Sequence, residues 1–208
     1  MDAAPQPEPD DKDWTWVLDR ACPECRYDAA AADPALLGAA IRVQVPVWCQ
    51  VALAAGSGER PTPTTWSPLE YAAHVRDVHE VFAGRVRLML AQDDPLFANW
   101  DQDATALERD YAHADPAAVA GELAERAEEA ASIYDAVPAG ARGRSGRRSN
   151  GSTFTIASLG AYHLHDLVHH LHDVGRPASA MMGACGTPSS GNASTRPSAP
   201  ATPGRGRS

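Results

Sequence analysis

The fold is decided by the stretch His163-Leu-His165-Asp166-Leu-Val-His169-His170-Leu-His172-Asp173, which holds five of the chain's eight histidines. Residues four apart lie on the same face of a helix, so His165 and His169 can bind one metal ion together. The third ligand would come from elsewhere in the fold, and His74 is the best candidate. Three imidazoles leave a coordination position open for water or substrate, which is typical of catalytic rather than structural metal sites.

The same stretch predicts an amphipathic helix. Its apolar residues share one arc, which must face the core: Leu164, Leu167, Val168 and Leu171. The neighbouring arc holds His165, His169 and His172, while we expect His163 and His170 to face solvent. Carboxylates that could support the ligands are Asp77, Asp166 and Asp173. From spacing alone, a solvated histidine-rich face without a metal is an equally good interpretation.

Start and stop signals predict three more long helices. Ser67 and Glu70 form a capping box, and Asp115 and Thr155 are N-cap residues for two later helices. Pro46 should kink the first helix or split it. The four helices are predicted over residues 34–55, 68–91, 116–137 and 156–174. Four amphipathic helices in one domain predict an all-α four-helix bundle.

Two connections deserve a functional interpretation. The polar connection 92–114 is long enough to be functional and has room for a short helical turn. The loop 140–152 carries four arginines: Arg142, Arg144, Arg147 and Arg148. A solvated loop is the simpler interpretation. The alternative is an anion clamp in which Arg147 and Arg148 bind a carboxylate-bearing cosubstrate, since guanidinium groups match carboxylates.

The ends of the chain differ from the body, which we place at residues 14–177. We expect a disordered lead over residues 1–13 and a disordered tail over 178–208. Residues 14–28 contain two tryptophans and a CxxC, so this extension should pack onto the body. Cys22 and Cys25 form half of a zinc ribbon, and no second cysteine pair completes it. We favour a structural or inert role over a thiol or auxiliary metal role.

Charge and hydropathy exclude several partners. The net charge is −9, and an acidic body disfavours nucleic acid as a partner. No signal peptide and no apolar run that could span a bilayer is evident, so we expect a cytoplasmic protein without a membrane partner. Whether the chain forms a homodimer stays open.

A family resemblance follows from two runs of sequence. The run Trp66-Ser-Pro-Leu-Glu70-Tyr-Ala-Ala-His74-Val-Arg-Asp77, followed by His165-Asp-Leu-Val-His169-His170, resembles the DinB-like superfamily. That superfamily includes mycothiol-dependent maleylpyruvate isomerases and bacillithiol-dependent transferases. The resemblance covers roughly residues 33–177. It implies a four-helix bundle in which three histidines hold a divalent metal, usually zinc or nickel: His74, His165 and His169.

The resemblance also implies a function. A small-molecule thiol, with mycothiol as the natural example, would be the cosubstrate and an electrophile the substrate. A bound metal lowers the pKa of a thiol or water and creates a nucleophile near neutral pH. We therefore expect an S-transferase or isomerase acting in detoxification. Two alternatives stay open: a non-enzymatic metal-binding stress-response protein and a metal-dependent hydrolase.

Overall fold

Three of the four long helices begin at the N-cap that the sequence predicts. The Ser67 hydroxyl accepts a hydrogen bond from the Glu70 backbone N–H at 3.2 Å, and the Glu70 carboxylate accepts one from the Ser67 N–H at 2.8 Å. Asp115 and Thr155 each accept a bond from the backbone N–H three residues further on. These caps satisfy N–H groups that the first turn of a helix leaves unpaired.

The computed structural model describes residues 7, 9 and 12–176. Its α-helices are α1 (Leu37–Leu53), α2 (Pro68–Ala91), α3 (Gln102–Glu108), α4 (Pro116–Ala136) and α5 (Ile156–Asp173). The four long helices pack around one core, and the short α3 lies in the connection between α2 and α4. The predicted all-α four-helix bundle is confirmed. The predicted tail 178–208 lies outside the described residues, as does most of the predicted lead 1–13.

The first helix differs from its prediction. It begins at Leu37 rather than Pro34, after a turn in which Asp33 accepts a backbone hydrogen bond. Pro46 lies inside α1 without splitting it. A proline inside a helix removes one backbone hydrogen bond and crowds the carbonyl four residues earlier, but the packing of α1 against α4 offsets this cost. The approach is so close that a Cβ at Gly38 would lie 2.6 Å from the α4 backbone.

The two polar connections form a small sheet that the sequence does not predict. β1 (Leu96–Phe97) pairs in parallel with β2 (Ser145–Arg148), and β2 pairs antiparallel with β3 (Thr153–Thr155). Strands this short contain too few residues to show an alternating pattern. Strand β2 lies within the expected loop 140–152, and its pairing with β3 joins Arg147 and Arg148 to the start of α5.

The N-terminal segment, residues 14–28, packs on α5 as its tryptophans predict. A 3-10 turn over Thr15–Leu18 contacts that helix, and Val17 within it is fully buried. The segment then turns back at the two cysteines, where the Cys22 N–H donates to the Tyr27 carbonyl at 2.8 Å. Among the helices of residues 12–176, none combines the length and apolar character that crossing a bilayer requires.

Candidate metal centres

Helix α5 carries two pairs of metal-binding side chains with the same four-residue spacing. His165 and His169 form one pair, and Asp166 and His170 form the other. The pairs are displaced by one residue, which rotates them by about 100° around the helix axis. Each pair therefore meets a different neighbouring element, and the described residues contain two groups of potential ligand atoms.

The first group, which we call the bundle site, consists of His74, Asp166 and His170. One ligand atom from each lies within 4.8 Å of the others. His74 comes from α2, and its ring centroid is 4.8 Å from that of His170. The Nε2 of His170 lies 3.4 Å from Asp166 Oδ1. Two imidazoles and a carboxylate suit first-row divalent metals and leave positions open for further ligands.

His74 fits the role of a metal ligand. It is fully buried, and neither ring nitrogen has a hydrogen-bond partner within the described part of the chain. The indole of Trp100 stacks on its ring at a centroid distance of 5.2 Å. Burial, aided by the neighbouring His170, lowers the pKa of His74 to about 3, so the ring is neutral. A buried polar group without a partner is costly, and a metal ion would satisfy one nitrogen.

His170 is held between two carboxylates. Its Nδ1 lies 2.9 Å from Asp173 Oδ2, while its Nε2 is directed toward Asp166. Burial by itself would lower the pKa of His170, but Asp166 and Asp173 outweigh it and raise the pKa to about 9. A metal-ligating imidazole usually has its second nitrogen bound to a carboxylate or carbonyl. Asp173 lies in that supporting position beside His170, whereas the sequence predicts it as a support for the set of His74, His165 and His169.

The second group, which we call the cysteine site, consists of Cys22, Cys25, His165 and His169. All four residues are buried, and their ligand atoms lie within 4.8 Å of one another. The Cys22 Sγ is 3.7 Å from His169 Nδ1. The Nε2 of His165 is buried and has no hydrogen-bond partner among residues 12–176. Two thiols and two imidazoles are a donor set that suits zinc.

The CxxC pair does not fit a thioredoxin-type redox role. Cys22 is 1% exposed and Cys25 is 2% exposed. Burial raises the pKa of Cys25 to about 12, with the nearby Cys22 contributing in the same direction. Reactive cysteines lie in accessible, electropositive surroundings that favour the thiolate. The structural interpretation of this pair is therefore the better supported one.

The structure divides the three histidines that the sequence groups together. His165 and His169 lie together as predicted, but His74 lies with Asp166 and His170. The expectation that His170 faces solvent is wrong, since it is only 9% exposed. The reason is that α2 covers the arc of α5 on which His170 lies. Asp166 was expected only as a supporting carboxylate, although its spacing to His170 equals that of the histidine pair.

His163 is also buried rather than solvent-facing. Its Nε2 lies 3.1 Å from His79 Nδ1, and its Nδ1 lies 3.4 Å from the Tyr134 hydroxyl. Burial lowers the pKa of His163 to about 3 and that of His79 well below its usual value. The two rings are therefore neutral and form a hydrogen-bonded pair in the core between α2 and α5. No spacing in the sequence links His79 to α5, so the sequence alone does not point to this pair.

A cavity of about 380 Å³ lies beside the bundle site, with Asp166 and His170 in its wall. Its volume suits a small-molecule ligand. Aromatic side chains from the N-terminal segment, α2, the α2–α3 connection and α5 complete the wall: Trp14, Phe82, Trp100 and Tyr162. The rings of His165 and His169 also border this cavity, so the two sites share a boundary.

The cavity wall contains two arginines, Arg85 and Arg148, and neither forms a salt bridge within residues 12–176. Besides Asp166, the other charged residues that line the cavity are Lys12, Asp13, Asp101 and Asp103. Arg85 is 7% exposed, and burial together with the nearby Arg148 lowers its pKa to about 10. Arg148 donates to neutral acceptors, among them Asn150 Oδ1 at 2.9 Å. Arg147 is different: its Nε is paired with Asp94 Oδ2 at 2.8 Å, and it does not line this cavity.

The side chains of strand β2 alternate between its two faces. Arg147 and Arg148, which the sequence groups as a pair, therefore lie on opposite sides. Arg148 remains a candidate anion-binding residue, while Arg147 faces the connection before β1. Arg85 was missed, because a single arginine on the long helix α2 carries no sequence signal. Arg144 has a structural role, since it donates to the carbonyls of Met89 and Gln92, both at 2.7 Å.

The comparison with protein families agrees with this architecture. The family model of the DinB superfamily matches residues 54–174, more than half of the chain. The chain therefore belongs to the DinB superfamily. The matched range contains every residue of the bundle site, whereas Cys22 and Cys25 precede it.

Among solved structures the chain is similar to YfiT from Bacillus subtilis, described as a probable metal-dependent hydrolase with an unusual four-helix bundle topology. The two are 20% identical with a TM-score of 0.57, and the match covers 69% of this chain and 84% of that one. At this identity the likeness shows the fold alone. A comparison with curated proteins gives no significant match.

Proposed function

We propose that the chain is a metal-dependent enzyme that activates a small-molecule thiol, such as mycothiol, for attack on an anionic electrophile. The reaction would be an S-transfer or an isomerisation. The observation that carries this proposal is a three-ligand bundle site beside a cavity whose wall holds two arginines that form no salt bridge within residues 12–176. The proposed ligands are His74, Asp166 and His170, in place of the set with His165 and His169.

A zinc or nickel ion held by these three residues would lower the pKa of a thiol or water in the cavity and supply a nucleophile near neutral pH. The chain's own residues fix the geometry around it. Asp173 holds the ring of His170 through Nδ1, and Trp100 covers the ring of His74 and excludes water from it. Fixed ligands leave little reorganisation for the reaction step.

Arg85 and Arg148 would bind the anionic group of the substrate. Charge-assisted bonds from guanidinium to carboxylate are about twice as strong as bonds between neutral groups. Arg85 is mostly buried, so its charge acts through protein rather than through water. An anion bound by both arginines would lie in the same cavity as Asp166 and His170, within reach of the activated thiol.

The test of thiol activation uses the full chain loaded with Co(II). Added mycothiol, or a related thiol, should produce an intense sulfur-to-cobalt charge-transfer band, since an ion with imidazole ligands favours an anionic sulfur. The measurement is a difference spectrum, recorded with and without the added thiol, so that any band from the chain's own cysteines cancels. His74→Ala should abolish the thiol-dependent band. His113→Ala is the matched control that keeps it, since His113 is exposed and pairs with Asp110 away from both sites.

Other outcomes favour the two alternatives. If no thiol perturbs the cobalt spectrum but small carboxylates or water analogues do, a metal-dependent hydrolase becomes the better proposal, in line with the description of YfiT. If the protein binds metal at the bundle site and turns over neither thiol-dependent nor hydrolytic substrates, a non-enzymatic metal-binding role is favoured. Either result would contradict the thiol-dependent function.

A further inference from the structure

We propose that Cys22, Cys25, His165 and His169 form a second, closed zinc site that fastens the N-terminal segment to helix α5. The site is separate from the bundle site, and its role is structural. Four protein ligands fill a tetrahedral zinc ion completely and leave no position for a substrate. The inference goes beyond the proposed function, because it holds whether or not the bundle site is catalytic.

The donor atoms already have nearly the spacing that a tetrahedral ion requires. With usual zinc–sulfur and zinc–nitrogen bond lengths, a sulfur and a nitrogen on one ion lie about 3.6 Å apart. The Cys22 Sγ and His169 Nδ1 are 3.7 Å apart. No two of the four donors are more than 4.8 Å apart. Side-chain movements of about 1 Å would therefore complete the coordination.

The backbone around the cysteines directs both sulfurs toward one point. Arg26 has a φ of 62°, the left-handed conformation that a residue with a side chain rarely adopts. This turn brings the Tyr27 backbone back against the loop, so that it hydrogen-bonds the Cys25 sulfur while its carbonyl accepts from the Cys22 N–H. The two cysteines pack together against Val168 of α5.

His169 is oriented to coordinate through Nδ1. Its other nitrogen, Nε2, lies 3.6 Å from Glu24 Oε2 and 3.8 Å from Asp173 Oδ1. Both distances are too long for hydrogen bonds, so the two carboxylates place negative charge beside Nε2 without fixing the ring directly. Glu24 lies between the two cysteines in sequence, so the CxxC loop supplies two ligands and also a support for a third.

A zinc ion accounts for more of the geometry than a Cys22–Cys25 disulfide does. A disulfide would use the two sulfurs but would leave the buried Nε2 of His165 without a hydrogen-bond partner among residues 12–176. It would also not explain why His169 lies so close to Cys22. The zinc site employs all four side chains, and binding releases the two thiol protons to solvent.

The cysteine site has a consequence for the cavity. Trp14 belongs to the segment that the site would fasten, and its ring packs on His169 at a centroid distance of 4.6 Å. Trp14 also forms part of the cavity wall beside the bundle site. Loss of zinc would release the segment from α5 and remove this part of the wall. The site therefore shapes the substrate cavity without touching the reacting groups.

The test uses the full-length chain loaded with Co(II) in the absence of any added thiol. We expect an intense thiolate-to-cobalt charge-transfer band and about two ions per chain. Cys22→Ser/Cys25→Ser should remove the band and about one ion. The matched control is Cys49→Ser/Cys185→Ser, which should keep the charge-transfer band and the metal content of the wild-type chain. Cys49 donates to the Ala120 carbonyl away from either site, and Cys185 lies outside the described residues.

This result is independent of the bundle site. His74→Ala should lose the other ion and keep the thiolate band, so failure of the proposed function and failure of this inference are distinguishable. If the serine variant does not fold, hydrogen exchange on the wild-type chain provides a second readout. Removal of metal by a chelator should then raise exchange over residues 14–28 ahead of the four long helices.

Three results would overturn the inference. The first is a wild-type chain without the thiolate band. The second is a band that persists when Cys22 and Cys25 are both replaced. The third is an intact mass and peptide map that show a Cys22–Cys25 disulfide in protein purified under reducing conditions.

Discussion

The bundle site and the cysteine site occupy adjacent faces of one helix, yet they differ in the number and kind of their donor atoms. The bundle site offers two nitrogens and one oxygen, whereas the cysteine site offers two sulfurs and two nitrogens, and residues of both line the cavity. Three protein ligands would leave a position on a bound ion for substrate, whereas four would fill a tetrahedral ion. On α5 the ligand pairs of the two sites differ by a shift of one residue.

The difference shows that the donor atoms of each site depend on the element that packs over α5, and not on α5 alone. Helix α2 covers the Asp166 and His170 face and adds His74, while the N-terminal segment covers the His165 and His169 face and adds the two cysteines. Asp173 joins the two sites, since Oδ2 lies 2.9 Å from His170 and Oδ1 lies 3.8 Å from His169. The two sites are therefore separate in ligands but share one supporting carboxylate.

The largest expected effect is that a bundle-site variant loses activity, whereas a cysteine-site variant loses stability. Asp166→Ala should lower turnover about 10³-fold or more, because the site loses several kcal/mol of metal-derived charge stabilisation. Its thermal midpoint should fall by only a few degrees, because Asp173 still pairs with His170. Cys22→Ser/Cys25→Ser should do the opposite and lower the midpoint by about 10 °C, as loss of a structural metal costs folding free energy. Calorimetry and a turnover assay on both variants check this, and equal losses in both would break the comparison.

An intermediate effect is expected at the carboxylate that the sites share. Asp173→Asn should weaken metal binding at both sites by about 10-fold to 100-fold, with the larger loss at the bundle site, where its contact is shorter. Glu24→Gln is the control that touches one site only, since Glu24 contacts His169 and not His170. Competition titrations with a chelator measure both constants. An equal response of the two sites to Glu24→Gln would contradict their separation.

The smallest effect concerns the two arginines that β2 places on opposite sides. Arg148→Ala should raise KM for an anionic substrate about tenfold, through loss of a charged hydrogen bond. Arg147→Ala should leave KM unchanged, because Arg147 is paired with Asp94 outside the cavity wall. Metal content should be the same in both variants. Steady-state kinetics provide the measurement, and equal KM values would remove Arg148 from substrate binding.

The helices could be predicted because their signals are local. The reciprocal cap of Ser67 and Glu70, and the N-caps Asp115 and Thr155, depend on residues within one helical turn. The small sheet could not be predicted, since its strands come from connections about fifty residues apart and are too short for a pattern. Pro46 is the reverse case. Locally it predicts a kink or a break, but the packing of α1 against α4 keeps the helix continuous.

The ligand sets could be predicted only in part. The pairing of His165 with His169 follows from helix geometry, but the same geometry pairs Asp166 with His170, and spacing cannot tell which pair faces His74. The contact between Cys22 and His169 joins residues 147 apart. One signal was nevertheless present, since an incomplete CxxC and an HxxxH pair together contain the four ligands of a Cys2His2 zinc site.

The central claim is that α5 serves two metal sites and that His74 belongs with Asp166 and His170. Anomalous diffraction at the zinc edge from crystals of the zinc-loaded full-length chain tests it most directly. The account predicts two peaks, one among the bundle-site residues and one among Cys22, Cys25, His165 and His169. A single peak bound by His74, His165 and His169 together would contradict it.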